Sequence, residues 1–149
     1  MTNTIPVWAA SYRDVDTIAR MVQAFVTTSP YASRMPTDLD HLKRTVGFFI
    51  GQGGAFLAGD PQTPCGVIVV TLFPHYVLNV IVAGEVIIWV DPAVRAKGVG
   101  RQLVIAAEAW AKSKGAVKMQ ATSLKNPYAE RWYTELGYHP QEVVFEKDL

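Results

Sequence analysis

A chain of 149 residues, 50% hydrophobic and 18% charged, is long enough to bury a core without disulfides or metals and too apolar for disorder. Its formal net charge of +1 gives no broad basic field, so a long phosphate backbone is a poor partner, although a local basic spot can still hold a small polyanion. The single cysteine, Cys65, excludes an intrachain disulfide framework and a Cys-pair zinc site. Met-Thr-Asn-Thr-Ile-Pro-Val-Trp at the start lacks a cationic head before an apolar core, and the greasiest run, Val77 to Val90, is too short to span a bilayer and contains Asn79 and Glu85. The expectation is a soluble cytoplasmic protein with no membrane and no nucleic-acid partner.

In chain order, Val7 to Ala10 predicts a short first strand, and Ser11 to Asp16 supplies polar punctuation and helix-start carboxylates. Ile18, Met21, Val22, Phe25 and Val26 recur at helical spacing, ending near Thr28-Ser29-Pro30. Tyr31 to Pro36 reads as a loop. Thr37 with Asp40 resembles a helix cap, and the second helix is expected to run to about Ile50 and stop at Gly51. Ala55 to Ala58 and Gly66 to Phe73 read as the two strands of a hairpin across the turn-rich Gly59 to Pro64. Val77 to Ala83 fits either a strand edge or an apolar pocket wall.

Gly84 precedes a β-branched strand, and Gly98 to Lys114 predicts a helix with Val99, Leu103, Ala107 and Trp110 on one face and Gly115 as its stop. Ala116 to Thr122 predicts another strand. Asn126-Pro127 opens a short helix with Ala129, Trp132, Tyr133 and Leu136 inward and Gly137 at its end, and Tyr138 with Val143 to Phe145 suggests a last strand or hairpin. With no repeats or linkers, residues 1–149 are expected to form one mixed α/β domain.

The stretch Glu85 to Leu103 is strand, turn and helix, with a carboxylate heading the apolar strand, cations at Arg95, Lys97 and Arg101, and glycines at 98 and 100. A helix start unobstructed by side chains binds anions, because its first amides lack intrahelical acceptors and the helix dipole is positive there. The turn is therefore expected to hold phosphate. It lacks the Gly-Lys-Ser/Thr of a nucleotide-binding loop, and no carboxylate ends the next strand to hold a ribose, which disfavours dinucleotides. A carboxylate among Val, Ile and Trp is partly desolvated, which raises its pKa toward that of a base; a solvent-facing or lysine-paired Glu85 is the alternative. Cys65 sits in a Pro-Cys-Gly turn without a neighbouring histidine and reads as a passive thiol. His41 and His139 read as surface or packing residues, His75, Tyr76, Tyr31 and Phe25 as candidates for an acceptor pocket, and no two histidines have metal-ligand spacing.

Arg95, Gly98 and Gly100 after a strand resemble motif A of the GCN5-related N-acetyltransferase (GNAT) superfamily, Arg/Gln-x-x-Gly-x-Gly/Ala. Asn126, Ala129, Tyr133, Gly137 and Tyr138 resemble its later Asn-x-x-Ala-x-x-x-Tyr-x-x-x-Gly-Phe/Tyr signature, so the likeness covers roughly residues 84 to 138. The resemblance implies a mixed, mostly antiparallel sheet flanked by helices on both faces, and acetyl transfer from acetyl-CoA to an amine by direct transfer in a ternary complex. It implies pyrophosphate binding by Arg95, Ala96, Lys97, Gly98, Val99, Gly100 and Arg101, and pantetheine pairing along Ile87 to Val90, with Ile88, Trp89 and Val90 in contact. Asn126 is implied to touch CoA, with helix capping as its other role. Glu85 falls where many relatives carry their base, and Tyr133 where they keep the acid that protonates the leaving thiolate. No metal is needed. Relatives are often dimers, so a homodimer is a further expectation. Apolar residues around 72 to 83 and the lack of an acidic stretch argue against polycationic acceptors. The other readings are a non-catalytic acyl-CoA-binding or regulatory module on the same fold and, third, a nicotinamide-dependent oxidoreductase.

Overall fold

The computed structural model describes residues 4–33 and 38–149. The first strand, β1 (Val7–Ala9), leads through a 3-10 turn into α1 (Val15–Thr28), which buries Ile18, Ala19 and Met21. The proposed Thr37 cap lies outside the described residues. Asp38 caps α2 (Leu39–Gln52) instead, its Oδ1 accepting the His41 amide at 3.1 Å. That helix runs past the expected stop at Gly51: Gly53 ends it, because Gly53 is the residue that takes the left-handed conformation, with φ +84°. Gly51 serves packing, since a Cβ there would meet the Tyr12 hydroxyl at 2.7 Å.

The expected hairpin is present but tighter. Strands β2 (Ala55–Asp60) and β3 (Thr63–Pro74) pair almost to their turn, where Asp60 Oδ1 accepts the Gln62 amide at 2.7 Å. Strand β4 (Ile81–Val90) takes only the end of the ambiguous apolar run: Val77 to Val80 form a bend, exposed as far as Asn79, and the strand starts at Ile81, so Gly84 lies inside it rather than before it, packed under the Phe73 ring. Helix α3 (Val99–Ser113), β5 (Ala116–Gln120) and α4 (Pro127–Glu135) follow. Sheet order is β1-β2-β3-β4-β5; β1 to β4 are antiparallel and β5 is parallel to β4.

Two cores form because β3 is apolar on both faces. Ile68 and Val70 pack with Leu103, Val104 and Ala107 of α3, while Val67 and Val69 pack with Ile18 and Met21 of α1 and Val46 and Ile50 of α2. A strand buried on both faces reads as a continuous hydrophobic run rather than an alternating one. The space between sheet and α3 is tight at Gly54, where a Cβ would overlap the Val70 carbonyl oxygen and lie 3.0 Å from the Trp110 ring. Gly54→Ala is therefore expected to cost about 1–3 kcal/mol through overpacking, read as a lower urea midpoint at constant slope.

The expected last strand is absent. Residues 138–149 carry no regular structure, and Val143 and Phe145 are 77% and 91% exposed. Strand propensity is a preference for a half-buried, paired surface, and among the described residues no element packs over this short apolar run.

Candidate active site

The β3–β4 ladder slips once: Val70 faces Glu85 and Val69 faces Ile87, which leaves Val86 unpaired and 47% exposed. This bulge re-aims the neighbouring side chains. Glu85 then meets α4 across 48 positions of sequence, its Oε2 accepting a 2.6 Å hydrogen bond from the Tyr133 hydroxyl. Burial raises the Glu85 carboxyl from its ordinary value to about 7, and the Tyr133 hydrogen bond opposes part of that rise. Burial, followed by the charge and hydrogen bond of Glu85, pushes the Tyr133 phenol far above its ordinary value. Near neutrality the pair is thus a carboxyl poised between its two states beside a fully protonated phenol. Such a pair can take up a proton and give one out at adjacent oxygens.

After β4 the chain turns sharply. Asp91 Oδ1 accepts the Ala93 amide at 2.9 Å, and Arg95 Nε donates to the Val90 carbonyl at 3.0 Å, tying the turn to the strand end. Ala96 is the one non-glycine among the described residues at positive φ, 64°, and Gly98 follows at 86°. Left-handed alanine costs roughly 1–2 kcal/mol, and successive amides in such turns form anion-binding concavities. The first backbone bond of α3 is Gln102 N–H to the Gly98 carbonyl, so the amides of Val99, Gly100 and Arg101 have no backbone acceptor among the described residues. Gly98 offers no side-chain cap. Lys97 and Arg101 are exposed and belong to neither ion pair found among the described residues. Gly100 also matters for packing: a Cβ there would meet Trp132 at 3.1 Å and Val90 at 3.7 Å.

Between these two features lies an open strand edge. Among the described residues β5 pairs with β4 only from Ile81 to Gly84, so Glu85 and Ile87 to Val90 pair with β3 alone, and beyond the Arg95 bond to the Val90 carbonyl no strand covers their other edge. Its backbone groups can pair with an extended amide-bearing ligand. Ile88 and Val90 lean on the α3 core. Trp89 turns to the other face and lines a groove of about 330 Å³ with Thr17, Arg20 and Met21 of α1, Gln62 of the β2–β3 turn and Thr63 at the start of β3. Asn126 caps α4, its Oδ1 accepting the Tyr128 amide at 2.9 Å.

A family model described as "Acetyltransferase (GNAT) family" matches residues 18–138. The chain belongs to the GNAT acetyltransferase family. No match is found among curated proteins. Solved structures with the GNAT fold superimpose over nearly its whole length. A transcriptional regulator from Bacillus halodurans C-125 has a TM-score of 0.81 at 20% identity, over 98% of this chain and 100% of that one. An aminoglycoside acetyltransferase from an uncultured soil metagenomic sample, crystallised with sisomicin, scores 0.78 at 18% identity, over 99% and 97%. A possible acetyltransferase from Clostridium difficile 630 scores 0.78 at 19% identity, over 97% of each chain.

Within this GNAT fold, Glu85 and Tyr133 are in direct contact, while Arg95 to Gly98 form the turn after β4 and Val99 to Arg101 open α3. His75 does not join them: its Nδ1 accepts the amides of Val77 and Leu78 at 3.2 and 3.1 Å, holding the β3–β4 tip, where Tyr76 is 92% exposed. Phe25 packs into the core beneath α1. Burial raises the Cys65 thiol, in keeping with a passive role. Sequence reasoning missed Glu108, which accepts a 2.8 Å hydrogen bond from the Tyr138 hydroxyl. Its spacing, four residues after Val104 and three before Ala111, both buried, marks a carboxylate on the inner side of α3. Among the described residues no group of three His, Cys, Asp or Glu could hold a metal, and no helix is long and apolar enough to cross a membrane.

Proposed function

We propose that this chain is an acetyl-CoA-dependent N-acetyltransferase, residues 1–149 forming one catalytic domain that transfers an acetyl group to a primary amine by direct transfer in a ternary complex. The observation that carries the reading is the hydrogen-bonded Glu85–Tyr133 pair beside a strand edge left unpaired. The amides of Val99, Gly100 and Arg101, with Lys97 and Arg101 nearby, bind the diphosphate of the donor, and the free edge at Ile88, Trp89 and Val90 pairs with its pantetheine amides. Arg95 and Ala96 hold the shape of that turn, and Asn126 fixes the start of α4 next to it. Because its oxygen is engaged as a cap, Asn126 meets CoA through its amide N–H groups.

Glu85 takes the ammonium proton of the acceptor, directly or through water, and passes it to solvent. The amine nitrogen then bonds to the thioester carbonyl carbon, giving its second proton to Glu85. As the carbon–sulfur bond breaks, Tyr133 gives its hydroxyl proton to the sulfur and regains one from Glu85 through their shared hydrogen bond. The sum is ammonium plus thioester to amide, thiol and one proton. The acceptor is a small-molecule amine, or a protein N-terminus or lysine; the apolar residues around 72 to 83 favour these over a polycation.

A soluble cytoplasmic enzyme, free or as a homodimer, completes the proposal. Calorimetry is expected to give saturable binding of acetyl-CoA and none of NAD. An amine panel that includes sisomicin, read by release of free thiol, is expected to show transfer. Binding without transfer to any amine would leave the non-catalytic acyl-CoA module as the better reading. NAD binding that competes with CoA would overturn both.

A further inference from the structure

Helix α4 has nine residues, none fully buried, and every residue from His139 onward is exposed. Helices of that length are marginal alone, yet α4 holds the Tyr133 hydroxyl within 2.6 Å of Glu85. Its C-terminal end explains how. Gly137, at φ +92°, donates to the Thr134 carbonyl at 3.0 Å, and the Tyr138 amide reaches back to the Tyr133 carbonyl at 3.0 Å. This is the doubled closure in which the residue after the glycine packs on the last helical turn. The Tyr138 ring accordingly lies edge-on to the Tyr133 ring, centroids 5.6 Å apart. Its hydroxyl runs on to Glu108 Oε1 at 2.8 Å, in the middle of α3. β4, α4 and α3 are thus linked through Glu85, Tyr133, Tyr138 and Glu108, and α3 is the helix that opens at the phosphate turn.

We propose that Tyr138 and Glu108 are positioning residues that hold the Tyr133 hydroxyl on Glu85, by clamping α4 to α3 through the 2.8 Å hydrogen bond between them. The proposal rests on the reading of Glu85 and Tyr133 as the proton-handling pair. Without the Glu108 acceptor the half-buried Tyr138 hydroxyl must find water, and its ring swings off Tyr133. The titratable groups facing Glu85 from the packed elements are then Tyr133 and Tyr138 from the α4 end, with Glu108 behind Tyr138 on α3. Neither ion pair among the described residues involves any of them. Since Tyr133's hydrogen bond stabilises the Glu85 carboxylate, loosening the clamp raises the pH at which Glu85 ionises.

The test titrates Glu85 in the ligand-free protein by NMR of glutamate labelled at the side-chain carboxyl, the resonance identified by its loss in Glu85→Gln, alongside turnover. Tyr133→Phe is expected to raise the midpoint from about 7. Tyr138→Phe, which removes a hydroxyl that never touches Glu85, is expected to raise it by a smaller step, roughly half a unit, and to lower kcat about three- to tenfold at unchanged acetyl-CoA affinity. Glu108→Gln and Glu108→Leu both remove a charge, but only leucine removes the acceptor, so the midpoint is expected to be higher in the leucine variant. A Tyr138→Phe midpoint equal to wild type, or identical midpoints in the two Glu108 variants, overturns the clamp. Should the wild type transfer acetyl to no amine, the catalytic reading falls instead, and the titrations still decide the clamp.

Discussion

Glu85→Gln is expected to lower kcat by about 10²–10⁴-fold while leaving acetyl-CoA affinity within about twofold of wild type, because uniform binding is untouched when a group acting on the proton is lost. Glutamine keeps an oxygen that can accept the Tyr133 hydroxyl, so the geometry survives and only the proton site is removed. In the wild type, turnover with a saturating acceptor is expected to rise with pH through about 7, where Glu85 gives up its proton. That limb should vanish in the variant. Tyr133, whose phenol is pushed upward by burial and by Glu85, stays protonated across this range and adds no falling limb near neutrality. Turnover in Glu85→Gln equal to wild type at every pH would remove Glu85 from the chemistry.

The same substitution has a consequence for stability with a defined sign. The Glu85 carboxyl is raised from 4.5 to about 7 in the folded chain, and it regains the ordinary value on unfolding. Below pH 4.5 both states hold the proton. As pH rises past that point the unfolded state ionises first, so folding loses stability until the pH has passed through the folded value. At about 1.36 kcal/mol per unit the loss is on the order of 3 kcal/mol above neutrality. Glutamine has no such proton to release. Glu85→Gln is therefore expected to match wild type near pH 4 in urea titrations and to exceed it near pH 8, a more stable but nearly inactive protein, as expected when a site holds a buried charge for chemistry.

How far the sequence reveals such a site depends on the range over which each cause acts. The strand, turn and helix from Glu85 to Leu103 were legible because every cause is local: β-branched residues, Asp91-Pro92, a glycine before a helical repeat. A desolvated carboxylate was one of two readings the residues beside it allowed, and the contact with Tyr133, 48 positions away, decides it. What stayed hidden is set by contacts far along the chain. The bulge at Val86 arises from the register against β3, and the Tyr138–Glu108 bond joins residues 30 positions apart. Gly51 and Gly53 are two glycines of equal propensity at a helix end, and local sequence does not say that the first packs under Tyr12 while the second takes the left-handed turn. The strand predicted at Val143 to Phe145 failed for the complementary reason, since propensity without a paired surface folds nothing.

Gly98→Asp is expected to weaken acetyl-CoA binding by about 10–100-fold, because a carboxylate some 5 Å from a bound phosphate costs on the order of 1–3 kcal/mol at effective dielectrics between those of water and the protein surface. Aspartate is suited to the test. Gly98 has φ +86°, and a Cβ there meets nothing within 4 Å; among side chains, Asp and Asn tolerate that left-handed conformation best. Folding should therefore be nearly preserved, and Gly98→Asn, the same shape without the charge, reports whatever strain is left. The difference between the two variants isolates electrostatics at the helix opening, where the Val99, Gly100 and Arg101 amides lack backbone acceptors among the described residues. It should shrink as salt is raised from about 0.05 to 0.5 M, since screening shortens from about 14 to 4 Å. It should disappear for acetyl-pantetheine, which has no phosphate. Equal affinities of the Asp and Asn variants for acetyl-CoA at low salt would mean that the diphosphate lies elsewhere, and the free edge of β4 would then have lost the neighbour that makes it a thioester slot.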